Sequence, residues 1–188
     1  MSAPVLDGTF PHTWKAEILS ARPVILPARH YVYPRDVEEV ERGALELLVR
    51  TNEPGAAPFL ATCALGFRDP VVPTGVWSAP NPREMCAVAG GYAYIIDTAA
   101  PDRFTMLPFR PVLQVRPVVE QGLLLFVGNR TILAWAAAGT AWETKKLSDE
   151  GVTITGVEGE QLRGLGWNLI TDKETPFTLD LQSGAQVR

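Results

Sequence analysis

The sequence predicts an all-β protein made of antiparallel meander sheets, and three observations lead there. From residue 121 onward, turn residues recur at Gln121-Gly122, Gly128-Asn129, Gly139, Asp149 to Gly151, Gly159, Asp172-Lys173 and Ser183-Gly184, a spacing of roughly 8 to 13 residues typical of short antiparallel strands. Between those turns apolar and polar residues alternate with period two, which gives each strand one dry face and one wet face. All but one of the 16 prolines lie at or before Pro117. Because proline lacks a ladder donor and is confined to strand ends, edges and turns, the first part must hold interrupted strands, while the rest can form continuous sheet.

Taken in order, the first ambiguous stretch is Asp36 to Arg50. Asp36 is a potential N-cap with Glu39 three residues on, and Val37, Val40, Ala44, Leu47 and Leu48 fall near helical spacing. Against a long helix stand Gly43, the alternation of Leu45, Leu47 and Val49 with Glu46, Leu48 and Arg50, and the turn-like Asn52 to Gly55. The favoured reading is one short helix near 36–42 and a strand at 44–50, hairpinned to a strand at 59–67; a helix running through Arg50 is the competing one. Gly91 to Asp97 reads as a strand with Tyr92, Tyr94 and Ile96 on one face, closed by Pro101-Asp102.

Leu123 to Val127 is apolar on both faces and is expected centrally in a sheet covered on both sides. Gly128-Asn129, two residues tolerant of positive φ, predicts a tight hairpin into Thr131 to Trp135. Further strands follow at Thr140 to Leu147, at Val152 and Ile154, at Leu165 to Leu169, and at Phe177 to Leu181. The last of these is expected at a sheet edge, guarded by Pro176 and Asp180. From Val112 onward the pattern is blade-like, yet no repeat recurs and four propeller blades of roughly 40 to 45 residues would consume nearly the whole chain. A sandwich or a barrel-like wrap fits better, with 1–188 as a single domain comprising a Pro-rich, interrupted β part (1–117) and a regular antiparallel meander (118–188).

Composition excludes several classes. A net charge of −4 with no dense run of Lys or Arg beyond Lys145-Lys146 argues against nucleic-acid binding. The apolar runs Leu123 to Val127 and Ile132 to Ala138 fall far short of the roughly 18 residues a membrane helix needs, so no membrane partner is expected. The opening Met1 to Gly8 has no basic, then apolar, leader pattern, which makes a cytoplasmic location the expectation. In that setting Cys63 and Cys86, the only two cysteines, are expected as free thiols. The sequon Asn129-Arg-Thr131 then reads as a turn.

Chemistry leaves few traces. His12 and His30 are the only histidines and carry no ligand spacing, so no metal and no cofactor are expected. Cys63 sits in an apolar strand, and Cys86 is the better placed of two weak nucleophile candidates. Ser78 and Ser148 lack a nucleophile elbow, and Gly90-Gly91 lacks a phosphate-loop continuation. Asp97, Asp102, Glu143, Asp172, Glu174 and Asp180 could in principle supply a carboxylate pair of the glycosidase type, against which stands their setting in turns and wet strand faces.

Five tryptophans offer the one positive lead. Trp77, in the loop-rich Thr74 to Pro80, and Trp142, which shares a strand face with Thr140 and Thr144, are the binding candidates, whereas Trp135 and Trp167 continue apolar alternations and belong to the core. The leading expectation is a non-enzymatic β module acting through its surface on a protein partner, as a monomer or a homodimer. A small carboxylate hydrolase and a sugar-binding module using exposed tryptophan are the alternatives. Function is expected in the Pro-rich loops between Arg68 and Met85.

Overall fold

A computed structural model describes residues 4–35, 37–69 and 71–187. The chain is nearly all β and divides into two compact units, Met1–Val112 and Leu113–Arg188. None of the four sheets closes into a barrel.

In the first unit one sheet has the order β2 (Trp14–Leu19), β4 (Ala44–Thr51), β5 (Phe59–Ala64), β3 (His30–Tyr33). The other runs β1 (Val5–Asp7), β6 (Gly75–Ser78), β7 (Glu84–Ala89), β8 (Tyr92–Asp97), β9 (Phe104–Met106). They stack face to face over a shared core. Leu45, Leu47, Val49, Phe59 and Ala61 come from the first sheet, and Val76, Met85, Ala87, Tyr94 and Ile96 from the second. Period-two alternation is the cause, since odd positions of β4 point inward and even positions outward. The sequence reading of 36–50 holds: a 3-10 helix covers Val37–Arg42 and β4 pairs antiparallel with β5, Leu47 opposite Ala61. Asp36, the expected N-cap, lies outside the described residues, and no helix continues through Arg50.

Two corrections concern pairing. The outermost pairs β1/β6 and β3/β5 are parallel, a direction open to them because each joins strands separated by a long connection and not by a tight turn. The strand expected at 59–67 stops at Ala64. Beyond it the backbone turns to the other sheet, where Gly66 and Phe67 donate to the carbonyls of Ala89 and Gly90.

In the second unit the strand train resolves into two meanders. One is four-stranded, β10 (Gln114–Val118), β11 (Leu123–Val127), β12 (Ile132–Ala136) and β13 (Gly139–Glu143); the other is three-stranded, β14 (Val152–Glu158), β15 (Gln161–Asn168) and β16 (Lys173–Asp180). Leu123, Leu125, Val127 and Ile132 of the first pack with Leu162, Phe177 and Leu179 of the second. β11 is buried throughout, as its two-sided apolar sequence requires.

The break between the meanders falls after Glu143, short of the expected Leu147. There the Ser148 hydroxyl takes over backbone groups, donating to Gly151 O at 2.6 Å and accepting from Trp167 N at 2.8 Å. The β11–β12 hairpin forms, but its loop is Asn129-Arg130, closed by Gly128 N–H to Thr131 O at 3.0 Å, and neither Gly128 nor Asn129 takes positive φ. The prolines inside these strands, Pro117 in β10 and Pro176 in β16, both sit on edge strands, where a missing N–H breaks no internal ladder.

Candidate functional site

The feature of the first unit that its core does not explain lies on the outer face of the β2-β4-β5-β3 sheet. Because β2 and β3 occupy opposite edges, residues 20–29 must pass β4 and β5 as a strap, and the contact of Arg22 with Glu46, which alternates with the core residues Leu45 and Leu47, puts its start on the face turned away from the core. Arg22 anchors its start: Nε donates to Glu46 Oε1 at 2.8 Å. Glu46, although a carboxylate, is buried on β4, and its Oε2 accepts from Thr62 Oγ1 at 2.6 Å on the neighbouring strand. Thr62 Oγ1 in turn meets His30 Nε2 at 2.9 Å. A chain of polar contacts therefore runs across the sheet from Arg22 to His30, and each buried oxygen in it has a partner.

Arg29 anchors the other end of the strap. Its Nη1 donates to Ala57 O at 2.8 Å, its carbonyl accepts from Leu60 N at 2.9 Å, and its guanidinium lies 5.7 Å from the Phe59 ring centre. Between the anchors, Pro23-Val24-Ile25-Leu26-Pro27 carries three apolar side chains into solvent, with Val24 fully exposed and Ile25 87% exposed. A loop fastened at both ends with prolines at both shoulders has little freedom left to lose on binding.

A second feature of this unit is a cavity of about 390 Å³ at the end of the sandwich where β1 begins and β2 ends. Its walls are mostly apolar, supplied by Ile18, Leu45, Leu65 and Val72, and Arg68 and Asp69 stand at its rim. Thr74 also lines it, so the segment from Arg68 to Met85 contributes part of this surface.

The residues proposed from sequence fare unevenly. Trp77 on β6 is 4% exposed and Trp142 on β13 is 8% exposed, so neither ring faces solvent. Trp142 looks inward because it belongs to the core between the two meanders, where Nε1 donates to Leu181 O at 2.8 Å. The shared face with Thr140 that alternation assigned it is broken by a β-bulge: Trp142 lies opposite Ala134 and Thr140 opposite Trp135, so the two side chains point to opposite faces. Trp167, expected in the core, is half-buried. Cys63 and Cys86 are free and buried, and burial pushes both thiols up, away from the thiolate a nucleophile needs.

His12 Nδ1 rests against Phe10 O at 2.8 Å, and among the described residues no group of three His, Cys, Asp or Glu is arranged to hold a metal. Of the six acids, Asp97 and Asp102 share one shallow depression, but Asp97 is gripped by Arg83 at 3.0 Å and Arg103 at 2.7 Å. Glu143 accepts from Thr131 at 3.0 Å, Asp172 occupies a left-handed turn position, and Glu174 is exposed on β16. The Ser183 hydroxyl and backbone hold the Asp180 carboxyl below its ordinary range, opposite to what a general acid requires.

Sequence reasoning missed the strap. Its signal was an apolar triplet between two prolines: proline at both ends denies it a ladder, a segment without a ladder runs over the surface, and its side chains are then set in water. No helix among the described residues is long and apolar enough to cross a membrane. No protein-family model matches the chain, and no curated protein matches it in sequence.

Proposed function

We propose that this protein is an interaction module that works by binding a protein partner through the strap at residues 20–29. The observation that carries the reading is the exposed triplet Val24-Ile25-Leu26 held between the Arg22 and Arg29 anchors. Leaving such side chains in water forgoes roughly 1.5–3 kcal/mol for each one that could be fully buried. A flexible loop would fold them inward, whereas this one is fastened with them outward. An apolar groove on the partner would recover that free energy at little ordering cost. The same reading puts the protein in the cytoplasm, supported by two cysteines kept as buried free thiols.

The test is photo-crosslinking from a benzophenone side chain placed at position 25, with position 174 on exposed β16 as control. The expected result is one reproducible adduct from position 25 that disappears when Val24→Asp is added, with the fold intact by circular dichroism. Equal adducts from both positions, or none from position 25, would reject the strap as the binding element.

A further inference from the structure

We propose that the cavity at the end of the first unit's sandwich is a separate small-molecule site for an organic acid with an apolar body, its carboxylate held at Arg68. Ile18, Leu45, Leu65 and Val72 line a space of about 390 Å³, within the roughly 300–1,000 Å³ characteristic of ligand pockets with apolar walls and few polar groups. The space exists because the two sheets are not sealed at this end: β1 is only three residues long and pairs with β6 alone, and β2 pairs with β4 alone.

The charged groups at the rim then set the sign of the ligand. Glu46 is committed to Arg22 and Thr62. Asp69 turns Oδ1 back onto Val71 N at 2.9 Å, within its own loop. Arg68 differs from both. Its Nε and Nη2 donate to a single neutral acceptor, the Arg42 carbonyl, at 3.2 and 2.7 Å, and among the described residues no carboxylate pairs with it. Those two bonds fix the plane of the guanidinium and leave Nη1 to donate. A planar donor fixed beside an apolar hollow suits a carboxylate whose hydrocarbon portion enters the hollow. This site adjoins the strap at Ser20 and Glu46, but its test reads Arg68 and Val72, which the strap does not use, so either proposal can fail without the other.

Titration calorimetry with dodecanoate, dodecanol and dodecyltrimethylammonium tests it on the full chain. Dodecanoate is expected to bind saturably with one-to-one stoichiometry, at least about tenfold more tightly than dodecanol, the factor expected of one charge-assisted hydrogen bond. Arg68→Gln should remove that preference while leaving dodecanol binding within about twofold, and Val72→Trp, which fills the hollow, should abolish binding of both. Because Arg68 is exposed, its replacement is not expected to disturb folding, and an unchanged thermal midpoint checks this. No saturable dodecanoate binding, a preference for the ammonium probe, or dodecanoate binding indifferent to Arg68→Gln would each overturn the proposal.

Discussion

Trp142 ties together three distant stretches of the second unit with one ring. Its indole N–H satisfies the Leu181 carbonyl, its faces lie in the core between the meanders, and Gly184 sits directly against it. A Cβ at Gly184 would lie 2.6 Å from Trp142 Cε3, and the backbone there has φ +69°. Gly184→Ala is therefore expected to suffer two penalties, about 1–2 kcal/mol for a left-handed non-glycine residue and about 1–3 kcal/mol for overpacking. Gly151→Ala, with φ +83° and nothing within 4 Å, should show only the first. Urea unfolding of the two variants makes the comparison, and equal losses would mean that the ring yields freely. Trp142→Phe, which leaves the buried Leu181 carbonyl without its donor, should cost about 1–3 kcal/mol by the same measurement.

At the scale of elements, the strap depends on its Arg22–Glu46 anchor. Removing one partner of a fully buried pair costs about 3–5 kcal/mol, but the Arg22 side chain is 41% exposed, and solvent screening reduces the expected loss for Arg22→Ala to about 1–2 kcal/mol. Adding Glu46→Gln removes the stranded charge and should restore most of that loss. Limited proteolysis should cut residues 20–29 faster in the single variant than in the wild type, and unchanged cleavage would show that the prolines alone hold the strap. A different device guards the edge strand β16. Pro176 occupies its first half, and the tail covers its second, with Val187 N donating to Thr178 O and Asp180 N to Ala185 O. Deleting residues 184–188 should expose that edge and produce concentration-dependent association in sedimentation experiments, whereas the full chain shows less.

The same elements explain what could be read in advance. The β4–β5 hairpin was legible because Leu45, Leu47 and Val49 alternate with their neighbours beside a turn, and β11 because it is apolar on both faces. The parallel partners of β1 and β3 were not legible, since pairing across 70 or so residues of chain, as for Val5 and Gly75, leaves no local periodicity. Nor was the burial of Trp77 and Trp142: only the fold decides what covers a face, and at Trp142 a β-bulge also turns the ring away from the face of Thr140. The cavity was visible only as a Pro-rich segment, because its apolar walls come from four separated stretches that meet only in the fold.

The whole molecule's stability should follow a plateau in pH with an alkaline limit set by its buried acids. Burial first, then neighbouring acidic groups, raises Cys63, Cys86 and Tyr33 in the folded state above their ordinary values of 9.0, 9.0 and 10.0. Above pH 9 the unfolded chain therefore sheds thiol protons that the folded chain keeps, so stability falls with rising pH, by about 1.4 kcal/mol per pH unit for each such thiol. Tyr33, whose hydroxyl donates to the buried carbonyl of Pro101 at 2.8 Å, adds to the slope above pH 10. On the acid side the sign reverses. Hydrogen bonds from Lys146 and Leu169 lower Asp149, and those from Ser183 lower Asp180, so their stabilisation is present above the unfolded carboxylate range and lost as pH falls through it. Both groups are only half-buried, so the acid shoulder should be shallow and salt-sensitive. Urea midpoints measured from pH 7 to 10.5 give the alkaline slope, well away from the isoelectric point near 5.2 where association would confuse the reading. The double variant Cys63→Ala/Cys86→Ala starts from a lower plateau because it leaves two small cavities, yet its slope above pH 9 should be flatter by about 1.4 kcal/mol per pH unit for each thiol removed. An unchanged slope would mean that the thiols ionise in place, and rapid labelling of native protein by a thiol reagent at pH 8 would report the same failure of burial to shield them.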